Sequence, residues 1–322
     1  MRRTRSARAV GVVLFLALAA LVARAEYPQR TVRIIVPYMP GGMADLQARA
    51  LAEELARRWK RGVVVENRPG ASGTIGAAVA ANATDGHTLY LAGPAHAITA
   101  TLYPDLPYDP VRSFEPVAQV GTSPFVLVVS AESGVKSVAE LVAKGDRGPD
   151  GLTYATAGHG TAPGLIGELI GQERKVFMRH IPFKSAPEAV NAILSGETDF
   201  AISDASVIPL VLAGRVRALA VTSKERSAQL PGVPTMKEAG LPGCDFSYHS
   251  GILVAAGTPP EVVAELNAAI REALESPRLR RRLAAVGLEV TPSTAAEYRV
   301  ALAREIEKYA RTIRKAGIRP GV

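Results

Sequence analysis

Two glycine-rich segments carry the most legible chemistry of this chain. The first is Pro37-Tyr-Met-Pro-Gly-Gly-Met-Ala-Asp45. Gly41 and Gly42 allow positive φ and close approach of the backbone to another group. Just after them a helix begins, and its first N–H groups have no partner within the helix, so they can face an anion. Asp45 reads either as a helix cap or as a ligand contact. The second segment is Thr156-Ala-Gly-His-Gly-Thr-Ala-Pro163. Gly158 and Gly160 free its backbone, and Pro163 fits a first helical turn. Thr161 could cap the helix or offer its hydroxyl to a ligand. His159, between two glycines, is an exposed loop residue or a contact. The second is no phosphate loop of the ATPase kind, because it lacks a Lys followed by Ser or Thr.

Other chemistries lack their residues. His87, His96, His159, His180 and His249 are scattered without the spacing of a metal site. No G-x-S-x-G elbow is present. The single cysteine, Cys244, lies in a turn-like stretch with no base beside it, so a nucleophile reading has no support. With one cysteine the chain forms no internal disulfide. Asn67-Arg-Pro-Gly-Ala-Ser-Gly-Thr-Ile-Gly76 is glycine-rich but too weak a dinucleotide signature, and it reads as a cleft wall that includes Ser72. Asp204 ends a strand, as a contact or a cap.

The elements that position these loops alternate strand and helix. Strands are expected at Thr31–Val36, Val63–Glu66, Thr88–Ala92, Pro124–Ser130, Leu152–Thr156, Val176–Pro182, Phe200–Ser203, Val216–Thr222 and Gly251–Val254. Helices are expected between them, with two long ones, Pro260–Leu274 and Thr294–Arg314, near the end. The alternation predicts an α/β protein with mostly parallel sheets flanked by helices. The number of elements asks for two lobes. Ligands of such sheets sit at the carboxyl ends of the strands, where the two glycine loops fall.

The first 25 residues read as an export signal. Arg2, Arg3, Arg5 and Arg8 precede an uncharged run, Ala9–Val22, and Ala23-Arg24-Ala25 gives a cleavage pattern. No cysteine follows the run, so a lipoprotein is excluded, and the mature chain is expected to begin near Glu26 in the periplasm. Five of the 38 basic residues (Arg2, Arg3, Arg5, Arg8, Arg24) lie there, leaving 33 against 30 acidic ones, a net +3. That near-neutral balance gives nucleic acid nothing to bind. The tract Arg278, Arg280, Arg281, Arg282 reads as a solvated helix face.

The mature chain as a whole resembles the extracytoplasmic receptors of the tripartite tricarboxylate transporters, the Bug family. The resemblance is carried by Pro40–Asp45 with Ala48-Arg49, Glu66–Ala71 with Gly73–Gly76, Asp85–Leu89, Leu102-Tyr103 with Leu106–Asp109, Arg217–Ser223, Leu230–Thr235 with Glu238–Gly240, and Ala256–Pro259, in that order along one chain. It implies a two-lobed Venus-flytrap, or periplasmic-binding-protein, fold with a ligand cleft between lobes. The lobes are expected at 26–125 plus 250–322 and at 126–249. The family's function implies capture of a small carboxylate (a di- or tricarboxylate, an acidic amino acid or an aromatic acid) and delivery to a membrane permease by a monomer without cofactor, metal or catalysis. A sensor partnered with a membrane signalling protein, or an exported α/β hydrolase, are the alternatives. The candidate ligand set is Met39, Gly41, Gly42, Asp45, Ser72, His96, Gly158, His159, Gly160, Thr161 and Asp204. Departures from the family pattern at Ala44, Thr99-Ala100, Gly164, Ser185 and His249-Ser250 put the identity of the acid in question.

Overall fold

The structure is a computed structural model that describes residues 27–145 and 151–318. The expected export signal, residues 1–25, lies outside the described residues. No helix among the described residues is long and apolar enough to cross a membrane.

Two sheets form the frame. The first has six strands in the order β11-β4-β10-β3-β1-β2: β1 (Val32–Val36), β2 (Val63–Asn67), β3 (Thr88–Ala92), β4 (Phe114–Pro124), β10 (Ser247–Ala255) and β11 (Glu289–Val290). The second has five, in the order β7-β6-β8-β5-β9: β5 (Val126–Ser130), β6 (Leu152–Thr156), β7 (Met178–Pro182), β8 (Phe200–Ser203) and β9 (Val216–Val221). Both sheets are mixed, whereas strand–helix alternation suggested mostly parallel ones. β1 pairs in parallel with β2 and β3, and β6 with β7 and β8. The antiparallel members are β4, β5, β9, β10 and β11. Of these, only β4 and β5 follow one another directly; helices lie between β3 and β4, between β8 and β9, and between β10 and β11.

The interior parallel strands are mostly buried because both faces are covered, whereas the edge strands β2 and β7 are only partly buried. All five residues of β3 are buried, as are four of the five in β1. The covering helices include α1 (Met43–Trp59), α2 (Thr74–Ala81) and α3 (Pro94–Leu102) on the first sheet. The second sheet carries α4 (Val138–Gly145), α5 (Ala162–Arg174), α6 (Ala186–Leu194) and α7 (Ile208–Leu212). The chain then returns to the first sheet with α8 (Pro260–Glu275), α9 (Pro277–Ala285) and α10 (Ala295–Lys315). α10 begins in a capping box, with Thr294 and Glu297 exchanging side-chain and backbone bonds. α9 holds the arginine tract; Arg278 and Arg282 pair with Glu53 of α1.

The chain passes between sheets beside the ladder of β4 and β10, where Pro124 faces Ser247. One buried hydroxyl ties both passages. Thr222 Oγ1 accepts from the Phe125 N–H at 2.9 Å and donates to the Phe246 carbonyl at 2.6 Å. The segments just after β4 and just before β10 are thereby held side by side, which defines a narrow hinge.

Candidate functional site

Four helices start at one cavity between the two sheets. α1 follows β1, α3 follows β3, α5 follows β6 and α6 follows β7, so each start lies at the carboxyl end of a parallel strand. Local sequence explains three of them. Gly93-Pro94, Thr161-Ala162-Pro163 and Ser185-Ala186-Pro187 each place a capping residue before a proline in the first turn, where its missing N–H costs nothing. Thr161 accepts from the Gly164 N–H, and Ser185 from the Glu188 N–H at 3.3 Å. At the fourth, Gly41 takes φ +94°, which a side chain would strain, and Gly42 is the cap.

The cavity is lined by Tyr38, Met39, Gly42, Met43 and Ala44 from the first loop, by Pro94, Ala95 and Tyr248, and by Phe125, Ala157, Thr161–Pro163, Ser185, Ala186 and Ile202–Asp204 across the cleft. No basic side chain is among them. Positive potential at this site comes from the helix starts, each equivalent to ~0.5 elementary charge on its free N–H groups. Tyr248 is fixed by a buried relay, in which Gln47 Nε2 donates to its hydroxyl at 3.0 Å and Ser250 donates to Gln47 Oε1 at 2.9 Å. The Ser203 hydroxyl is buried without a protein partner.

Of the eleven candidate residues, Met39, Gly42, Thr161 and Asp204 line this cavity. The Thr161 hydroxyl donates to the Gly158 carbonyl at 2.6 Å while capping α5, so its one proton is already used. Asp204 joins the two sides, its Oδ2 accepting from the Met43 N–H at 3.3 Å. Its Oδ1 accepts from the N–H and hydroxyl of Ser206. Burial raises its pKa above the usual carboxylate range against the opposing pull of those bonds.

The remaining seven serve other parts. Gly41 gives its N–H to Asp45 Oδ2 at 3.1 Å. Asp45 is buried inside α1 and also accepts from Arg49 and Asn67. Burial alone would raise its pKa, yet these bonds hold it below the ordinary value. Asp45 therefore shapes the loop from behind. Ser72 and Gly160 meet across the cleft: the Gly160 N–H donates to Ser72 Oγ at 3.1 Å, and Ser72 also bonds the Tyr103 hydroxyl. Gly158, at φ +126°, supplies the carbonyl that Thr161 uses. His96 is turned into the core beside Tyr90 and Phe114, with Nε2 on the Pro110 carbonyl at 2.9 Å, so its ring does not reach the cavity. His159 faces a separate crevice with Glu168 and the segment Ala316–Ile318, and its Nδ1 lies 3.0 Å from His180 Nδ1. Among the described residues no cluster of three or more His, Cys, Asp or Glu could hold a metal ion.

The sequence pointed to α3 only through His96 and to Ser185 only as a departure from the family pattern, and it did not point to α6, to Ser203 or to the aromatic wall of Tyr38, Phe125 and Tyr248. The repeated signal of a small or hydroxyl cap followed by proline after a strand was available for the helices. Nothing local marks the aromatic residues, which come from three distant segments.

Two α/β lobes joined by a narrow hinge, with helix starts converging between them, define the class of periplasmic solute-binding proteins. The family model described as the tripartite tricarboxylate transporter family receptor matches residues 47–318, and the chain belongs to that family. It is 34% identical to the protein BugT of Bordetella pertussis, across 98% of this chain and 99% of that one. It is 30% identical to the solved periplasmic binding protein BugD, with a TM-score of 0.87 over 91% of this chain and 100% of BugD. MatC of Rhodopseudomonas palustris, solved with bound malate, is 31% identical with a TM-score of 0.84, over 89% of this chain and 100% of that one.

Proposed function

We propose that this protein is a periplasmic receptor that captures a small carboxylate in the cleft and presents the closed form to a tripartite tricarboxylate transporter permease. The observation that carries the reading is the convergence of four helix starts on one cavity without a basic side chain. Such a site holds an anion by preformed backbone donors, and it favours closure because the donors come from both sides. The malate bound to MatC supports a carboxylate as ligand class. In this reading 26–125 plus 250–322 and 126–249 move as two bodies about the Thr222 hinge. Residues 1–25 are removed on export, and the receptor acts as a monomer without turnover and without nucleic acid.

Calorimetry of the mature protein against a panel of mono-, di- and tricarboxylates tests this. One acid should bind with a stoichiometry of one and be recovered chemically unchanged. A converted product would instead favour the hydrolase alternative, and binding of none would refute the receptor reading.

A further inference from the structure

We infer that Tyr248 is a ligand-binding residue whose hydroxyl donates to one oxygen of the bound acid at the start of α3, with Gln47 as the residue that positions it; this rests on the receptor reading above. Tyr248, Gln47 and Ser250 are 5%, 1% and 1% exposed. Gln47 lies on the buried face of α1, beside Met43, Ala44, Ala48 and Leu51. An amide in such a place costs free energy unless both of its ends are bonded. Both are: Nε2 donates to the Tyr248 hydroxyl at 3.0 Å, and Oε1 accepts from Ser250 at 2.9 Å. The Gly121 carbonyl, the other acceptor within reach of Ser250, is at 3.4 Å, so the shorter bond sets which way the amide points.

The direction of these bonds decides what Tyr248 can still do. Its oxygen accepts from Gln47, so its own proton remains to be given, and none of the described residues takes it. The ring lines the cavity and packs edge-on to Phe125, with centroids 6.1 Å apart. The hydroxyl stands at the start of α3, since a Cβ on the capping Gly93 would lie 3.6 Å from its oxygen. Ala95 lines the same cavity, and its backbone N–H also has no acceptor among the described residues.

A buried donor left without an acceptor is costly, and a ligand oxygen at the positive end of α3 would satisfy both donors at once. Burial raises the Tyr248 pKa well above its ordinary value, so the proton stays in place wherever a carboxylic acid is ionised. Tyr38 and Ser185 bring hydroxyls to this wall as well. Tyr248 alone of the three is oriented from behind by a side chain among the described residues.

The test uses mature protein freed of bound solute by unfolding in guanidinium and refolded to its native near-ultraviolet signal. The probe is whichever of malate, adipate, citrate, glutamate and benzoate binds it most tightly in calorimetry. Tyr248→Phe keeps the ring and removes the proton, and should weaken binding tenfold or more. It also leaves Gln47 Nε2 without its acceptor, so Tyr248→Phe combined with Gln47→Leu separates the two causes. The double variant should bind as weakly as Tyr248→Phe. Gln47→Leu alone should weaken binding threefold or more, and the isotope-edited infrared carboxylate stretch of the bound probe should shift in both single variants. Wild-type affinity in Tyr248→Phe, or its recovery in the double variant, overturns the ligand bond; wild-type affinity and an unshifted stretch in Gln47→Leu overturn the positioning. Either result leaves the receptor reading standing, because the wild-type protein still binds its acid. If the wild-type protein binds none of the five acids, the receptor reading falls and this assignment falls with it.

Discussion

Gly160→Ala should hold the cleft open without harming either lobe. A Cβ at Gly160 would lie 2.7 Å from both Cβ and Oγ of Ser72, and 3.1 Å from a ring carbon of Tyr103. Ordinary carbon contacts sit at about 3.5–4.0 Å, so the two sides must separate by roughly 1 Å. Gly160 is not among the residues with positive φ, so alanine brings no backbone strain. The clash exists only where the lobes meet. Overpacking of this kind costs about 1–3 kcal/mol. Losing the Gly160 N–H bond to Ser72 adds about 0.5–1.5 kcal/mol. If closure is required for tight binding, affinity should fall tenfold or more, since each ~1.4 kcal/mol is a factor of ten. Melting of the ligand-free protein should stay near that of wild type. Ser72→Gly removes both clashing atoms, and Ser72 sits at φ 54°, where glycine is at ease. The double variant should therefore recover affinity relative to Gly160→Ala alone. Calorimetry on the four proteins reads the cycle. Wild-type affinity in Gly160→Ala, or no recovery on adding Ser72→Gly, would refute the contact as part of the bound state.

Three further outcomes follow from single side chains. Thr161→Val removes the cap of α5 and should cost ~1 kcal/mol of stability, read as a fall of about 2–4 °C in Tm; an unchanged Tm with weaker binding would make the hydroxyl a ligand contact instead. Thr222→Val strips the buried Phe125 N–H of its acceptor, a loss of about 1–3 kcal/mol, and should speed hydrogen exchange at Phe125, whereas unchanged exchange would deny the hinge its tie. Burial depresses the pKa of His96 to about 4 against a pull upward from its bond to Pro110. The unfolded chain then binds the extra proton between pH 6.5 and 4, so His96 keeps the fold stable above pH 6.5 and withdraws up to about 3 kcal/mol as pH falls to 4. His96→Gln should flatten the acid limb of Tm against pH, and parallel curves would contradict the assignment.

Much of the fold was legible because its elements obey local rules. β3 and β8 are continuous buried runs, and the helices announce themselves by apolar spacing and caps. β4 was not legible over its full length, since Phe114–Pro124 contains Pro116 and Gly121 and lacks a strand-like pattern. It is held by β10, more than a hundred residues away in sequence, as Pro124 facing Ser247 shows. The site divides in the same way. The glycine loops were visible from their composition, and so was the helix start behind each. What the N–H groups of Gly41 and Met43 do was not visible, because Asp204 reaches Met43 across 161 positions. His96 was misplaced for a similar reason: a helix beside a cleft has two faces, and only packing against Tyr90 and Phe114 decides which one the ring takes.

Closure of two lobes around a carboxylate shows most directly in small-angle scattering. The mature protein, stripped of solute, is compared with the same protein saturated by the tightest acid found in calorimetry. The radius of gyration should be smaller with the acid, with a lesser decrease in Gly160→Ala at the same occupancy. Saturation at a stoichiometry of one with an unchanged radius would contradict closure and leave a rigid pocket in its place.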